Sequence, residues 1–232
     1  MHKRIGILGG LSPESTVTYY EYITRTYYER FGDYSYPEIL IYSVNFQEFV
    51  DWQKQARWKT AAGKMIEATV ALRRAGADFG VIATNTMHIV FDEVQKVSPM
   101  PLISIIAATA EAVRKDGFDV VGLLGTVFTM RESFYRDGLR NYGIETLVPR
   151  TNDQEYINQV IYEELTRGVV SRKSKEGFIK IVEDLESRGA QGVTLACTEI
   201  PLLLKEGDCN VRLFDTAVIH AERALNYAIG IE

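Results

Sequence analysis

The chain has 232 residues, 46% of them hydrophobic and 25% charged, with 26 basic against 31 acidic side chains and a formal charge of −5. Aromatic residues make up 11%, so a packed globular core is expected and a disordered chain is excluded. The acidic balance argues against a nucleic-acid surface, and two cysteines, Cys197 and Cys209, are too few for a disulfide scaffold or a multi-cysteine zinc site.

The chain opens on Ile5-Gly6-Ile7-Leu8, an apolar run that stops at Gly9-Gly10. That run is too short for a signal peptide, and none elsewhere reaches the roughly 18 residues of a membrane span, so a cytoplasmic protein is expected. Short apolar runs predict strands over 4–8, 38–44, 79–83, 102–105, 120–124, 144–148, 192–196 and 212–214. Amphipathic stretches predict helices over 13–31, 59–75, 107–115, 130–142, 153–167, 174–188 and 217–229. Strand followed by helix, repeated, is the pattern of an α/β fold with parallel sheets.

The chain also repeats itself. Gly6 and Gly9 recur as Gly122 and Gly125, 116 residues later. Gly76-Ala77 recurs as Gly189-Ala190, and Ala83-Thr84-Asn85-Thr86 recurs as Ala196-Cys197-Thr198-Glu199, both 113 residues later. Leu102–Ser104 resembles Leu213–Asp215 at an offset of 111. The expected architecture is two pseudo-symmetric α/β halves, residues 1–101 with 212–232 and residues 102–211. Each half is a mainly parallel sheet flanked by helices. Ligands bind beyond the carboxyl ends of parallel strands, so the site is expected in a cleft between the halves.

The matched loops carry the chemistry. In Gly9-Gly10-Leu11-Ser12-Pro13, the glycines permit a tight turn, Ser12 is placed to cap a helix, and Pro13 fits its first position. Free amides at Leu11 and Ser12 would suit a carboxylate. Gly125-Thr126 and Thr129 occupy the equivalent turn. Asn85, Thr86, Thr198 and Glu199 follow their strands directly and supply polar groups at the strand ends. Cys197 precedes a helix start at Thr198–Pro201, which is expected to lower its pKa and make thiolate available. Cys209 sits in a polar turn with no internal counterpart and is read as incidental. His88 is a secondary base candidate, and the three histidines lack metal-ligand spacing. The tyrosines at 19, 20, 22, 27 and 28 cover more than one helix face and suggest a packing or subunit interface.

Five motifs in order resemble the aspartate/glutamate racemase family: Gly9 to Thr16, Asn85-Thr86-Met87-His88, Leu124-Gly125-Thr126 with Thr129-Met130, Ala196-Cys197-Thr198-Glu199, and Phe214-Asp215-Thr216-Ala217. The resemblance implies a homodimer, a small amino-acid substrate, no nucleic-acid or membrane partner, and no cofactor, neither pyridoxal phosphate nor metal. It also implies a two-base reaction in which Cys197 faces the α-proton of the L-enantiomer. The family's first cysteine falls here on Thr84. A hydroxyl is a far weaker acid than a thiol, so a lopsided racemase is expected, with Cys197 and Thr84 as the opposed acid–base groups. Leu11, Ser12, Gln53, Asn85, Thr86, Thr126, Thr198 and Glu199 are the candidate substrate-binding residues, with Arg57 and Arg167 as further candidates for a side-chain carboxylate. Two alternatives keep the fold: a single-thiol decarboxylase of malonate-type diacids, and a non-catalytic carboxylate-binding relative.

Overall fold

The computed structural model describes residues 2–231. In chain order the elements begin β1 (Ile5–Gly9), α1 (Pro13–Phe31), β2 (Ile39–Ser43), α2 (Phe46–Lys54), α3 (Trp58–Ala75), β3 (Phe79–Ile82), a 3₁₀ turn (Thr86–Val90), α4 (Phe91–Val97), β4 (Leu102–Ile103) and α5 (Ile105–Lys115). They continue β5 (Val120–Gly125), α6 (Val127–Arg131), α7 (Ser133–Arg140), β6 (Glu145–Leu147), α8 (Thr151–Glu163), a 3₁₀ turn (Leu165–Arg167), α9 (Arg172–Ser187), β7 (Gly192–Ala196), α10 (Ile200–Leu203), β8 (Arg212–Asp215) and α11 (Thr216–Ile229).

The strands form two four-stranded parallel sheets of the same design, ordered β2-β1-β3-β4 and β6-β5-β7-β8. The chain divides into a unit of Met1–Ile105 with Ala217–Glu232 and a unit of Ile106–Thr216. These junctions lie a few residues beyond 101 and 211. The reason is hydrogen bonding: β4 pairs with β3 and stays with the first sheet, while β8 pairs with β7 and stays with the second.

Both faces of the first sheet are covered, which explains its continuous apolar strands. Successive side chains on a strand point to opposite faces. Ile5 and Ile7 of β1, with Phe79, Val81 and Ala83 along β3, pack against Tyr19, Ile23 and Tyr27 of α1 and the alanine-rich face of α11. Leu8 and Ile82 point the other way, to Ala61, Met65 and Leu72 of α3. In the second unit Val193, Leu195 and Cys197 share one face and join the core formed with α8 and α9. Each fully buried aliphatic or aromatic side chain in these layers stabilises by about 1.5–3 kcal/mol.

Register makes the duplication concrete. Leu8 pairs with Ile82 in one sheet, and Leu124 pairs with Leu195 in the other. These are the same positions once the 116- and 113-residue offsets are applied. Counting on two residues from each partner, Thr84 and Cys197 stand at the same place beyond their strands.

Two helical readings change. The stretch expected as one helix over 130–142 is two, because Glu132 adopts extended backbone (φ −70°, ψ 155°) and α7 restarts after it. The segment after β2 contains α2, capped by the Asn45 side chain accepting from the Gln47 amide at 3.2 Å. Among the described residues no helix is long and apolar enough to cross a membrane.

Candidate active site

The β1–α1 turn is built as its residue types require. Gly10 has φ 77°, and a Cβ there would lie 2.5 Å from both Ser43 Oγ and the Val44 amide nitrogen. Ser12 caps α1, accepting from the Ser15 amide at 3.4 Å, and Pro13 takes the first turn. Leu11 and Ser12 are both buried. The Ser15 hydroxyl lies 3.0 Å from the Ser12 and Ala83 carbonyls, so it ties this turn to the end of β3, one residue before Thr84. Ser15 was visible in the motif but carried no sequence signal for that bridging role.

Thr84 is partly buried, and Asn85 and Thr86 are buried in the turn that follows. His88 is not a free base. The Ile105 amide donates to His88 Nε2 at 3.0 Å, which leaves the proton on Nδ1 to be donated to the Thr84 carbonyl at 2.8 Å. The ring stacks on Phe91. Burial first, then neighbouring His220, pushes its pKa down to about 3. His220 is equally fixed, donating from Nε2 to the Ile103 carbonyl at 2.9 Å and accepting from Tyr19 Oη at 2.6 Å. Burial holds it down near about 4. Both rings are neutral structural connectors.

Gln53, on α2, is buried and donates to Met87 Sδ at 3.3 Å. A thioether is a weak acceptor, so among the described residues this amide is held beside the 3₁₀ turn without a strong partner. Arg57 and Arg167 are exposed.

In the second unit Thr126 caps α6 by accepting from the Thr129 amide at 3.4 Å, and the two threonine hydroxyls are 3.2 Å apart. Gly125 pairs with Ala196, so Thr126 and Cys197 emerge from adjacent strand ends. Cys197 is buried, and its thiol donates to Glu199 Oε2 at 3.0 Å. The Thr198 hydroxyl donates to the same oxygen at 2.9 Å. Glu199 is 3% exposed, and its Oε1 has no partner among the described residues.

The expected depression of the Cys197 pKa does not occur. Burial, followed by the Glu199 charge and the hydrogen bond to it, pushes the thiol well above its ordinary value. The amides of Glu199 and Ile200 do pull the other way, as a helix start should. However, α10 has only four residues, and desolvation plus an adjacent carboxylate outweighs two amides. Cys197 therefore rests as a thiol.

Tyr162 of α8 is a member of this cluster that sequence reasoning missed. Its phenol is pushed up to about 12, chiefly by burial and then by the charges of Cys197 and Glu199. No local pattern connects a mid-helix tyrosine to a distant strand end, so only folding reveals it. Cys209 is partly buried against the same core, and its pKa is raised to about 11 by burial and nearby Asp208, Glu183 and Glu186. Among the described residues no group of three His, Cys, Asp or Glu side chains could hold a metal ion.

The sequence pattern of the Asp/Glu/Hydantoin racemase family matches residues 8–224, including every turn described above. The chain belongs to this family. An aspartate racemase homologue from Pyrococcus horikoshii OT3 is similar in structure, with 43% identity, a TM-score of 0.86, and coverage of 99% of this chain and 100% of that one. The aspartate racemase of Picrophilus torridus is similar at 25% identity and TM-score 0.75, covering 97% and 94%. The broad specificity amino-acid racemase RacX of Bacillus subtilis (strain 168) is 23% identical over 225 residues, 96% of each chain. The two-sheet α/β architecture is the fold of this family.

Proposed function

We propose that this family member racemises an acidic amino acid, L-aspartate or L-glutamate, without pyridoxal phosphate. Cys197 works on the L-face of the α-carbon and Thr84 occupies the opposite acid–base position. The observation that carries this reading is the shared register: one group with an exchangeable proton stands at the same place beyond β3 and β7. In the thiolate form Cys197 removes the α-proton, and the electron pair left on carbon is delocalised into the α-carboxylate. Thr84 returns a proton from the other side. Candidate anchors for the substrate's polar groups are the amides of Leu11 and Ser12, with Asn85, Thr86, Thr126 and Thr198. Gln53 is a further donor, since its bond to Met87 Sδ is easily exchanged.

Enantiomers have equal free energy in water, so kcat/KM must be equal in both directions. The handicap of a threonine shows in kcat and KM separately. A homodimer is part of the proposal. Its candidate surface is the exposed Tyr20, Tyr28, Tyr34 and Tyr36, which lie together with Arg25 and Glu29.

One observation favours a second reading. Cys197 rests protonated, which is the form that would protonate a single face of a carbanion after decarboxylation of a malonate-type diacid. Incubation in D₂O with both enantiomers of aspartate and glutamate separates the two readings. Following the α-proton by NMR and the enantiomer by chiral chromatography, exchange with inversion is expected. No exchange with any of the four, together with turnover of a substituted malonate, would replace the racemase by the lyase.

A further inference from the structure

Among the described residues the Cys197 thiol donates to one acceptor, Glu199 Oε2, at 3.0 Å. Thr198 Oγ1 fixes that oxygen from a second direction at 2.9 Å, and Oε1 is buried with no partner. No Lys, Arg or His forms an ion pair with Glu199 among the described residues. A buried carboxylate is ordinarily paired with a cation or hydrogen-bonded at both oxygens. This one is neither, and the hydrogen pointing at it belongs to the thiol that the reaction needs as a base.

We propose that Cys197 and Glu199 hold one proton between them, and that Glu199 is the catalytic residue that accepts it when Cys197 becomes thiolate. The inference rests on the reading of Cys197 as the acid–base group. In the transfer, the Sγ–H bond breaks, the Oε2–H bond forms, and the electron pair stays on sulfur. The thiolate then takes the α-proton, breaking Cα–H and forming Sγ–H.

Charge explains why this route is open although the free thiol is hard to ionise. Loss of the thiol proton to water would leave two negative charges side by side in a buried site. Transfer to Glu199 leaves one, as before, and removes the carboxylate that opposed the thiolate. The Glu199 and Ile200 amides, which favour the charged form of the thiol, then stabilise the thiolate. The other groups around the pair do not compete for the proton: Thr198 carries a hydroxyl and Tyr162 of α8 a phenol that stays neutral through this range.

A shared proton has a signature that an unshared one lacks. Between the two macroscopic pKa values of the pair, the fraction present as thiolate with carboxylic acid does not depend on pH. The test is the rate at which iodoacetamide alkylates Cys197 in a Cys209→Ser background, measured from about pH 5 to about pH 9, the interval between ordinary carboxylate and thiol values. A flat profile is expected. Glu199→Gln removes the acceptor and should restore a tenfold climb per pH unit up to that variant's own thiol pKa. A tenfold climb per pH unit in the Cys209→Ser protein itself overturns the proposal, and that protein needs no change at Glu199. A thiol that neither the reagent nor any substrate engages across this range overturns it as well.

The alkylation profile involves no amino acid. It therefore reads the shared proton even if the racemase reading fails. If α-proton exchange is observed, Glu199→Gln should slow kcat by about a hundredfold, within the usual range for losing a proton acceptor. KM should change little and Glu199→Asp should restore part of the rate. A raised KM with unchanged kcat would instead make Glu199 a binding residue.

Discussion

His88 Nδ1 donates to the Thr84 carbonyl at 2.8 Å while His88 Nε2 accepts from the Ile105 amide at 3.0 Å. One neutral ring thus fixes the backbone of the residue that is equivalent to Cys197 in the internal repeat. Replacing His88 by Leu removes both hydrogen bonds from this turn. At roughly 0.5–1.5 kcal/mol for each lost hydrogen bond, the loss should be about 2 kcal/mol. Urea denaturation of the purified variant checks it, and a loss below the scatter of the measurement would mean the turn repacks.

The same rings set an acid limit on the first unit. His88 and His220 titrate near about 3 and about 4 in the folded chain, against roughly 6.5 when unfolded. Below the unfolded value, unfolding takes up protons that the folded rings refuse. The stability they contribute is complete above about pH 6.5 and is lost as pH falls toward the folded values, by up to about 1.4 kcal/mol per pH unit for each ring. Urea midpoints measured between pH 7 and pH 4 should fall steadily, and less steeply in His220→Gln.

Thr84→Cys installs a thiol at the second acid–base position. Under the proposed reaction, turnover starting from the D-enantiomer should rise by at least about tenfold, toward the 10²–10⁴ range of general acid–base groups. Chiral chromatography of D-aspartate and D-glutamate reactions measures it. An unchanged rate would locate the handicap elsewhere.

Gly10→Ala tests the β1–α1 turn. The alanine would be held at φ 77° with its Cβ against Ser43 and Val44. Left-handed backbone alone costs roughly 1–2 kcal/mol, and overpacking adds about 1–3 kcal/mol. A destabilisation of about 2–5 kcal/mol is expected in thermal or urea unfolding. Gly117→Ala provides the comparison: its φ is 79° but no atom lies within 4 Å, so it should show only the backbone part.

Much of this protein was legible because the controlling interactions are local. The cap at Ser12, Pro13 at the helix start and the short, fully buried apolar runs of β1 and β3 depend on near neighbours in sequence. The missed α2 had a local signal as well, the Asn45 cap with Phe49 and Gln53 buried four residues apart. The unit junctions follow Ile105 and Thr216 because β4 and β8 are short edge strands whose sheet is decided by hydrogen bonds to β3 and β7.

The sequence by itself determined the duplicated α/β plan and the equivalence of Thr84 with Cys197, since repeats and strand registers are carried by residue order. Only the tertiary structure decided the protonation of Cys197. A helix start promised a thiolate, but the pKa follows desolvation and the adjacent charge of Glu199 in three dimensions. It likewise turned His88 from a candidate base into a clamp, because its two partners, Thr84 and Ile105, come together only when β3 and the start of α5 are in place.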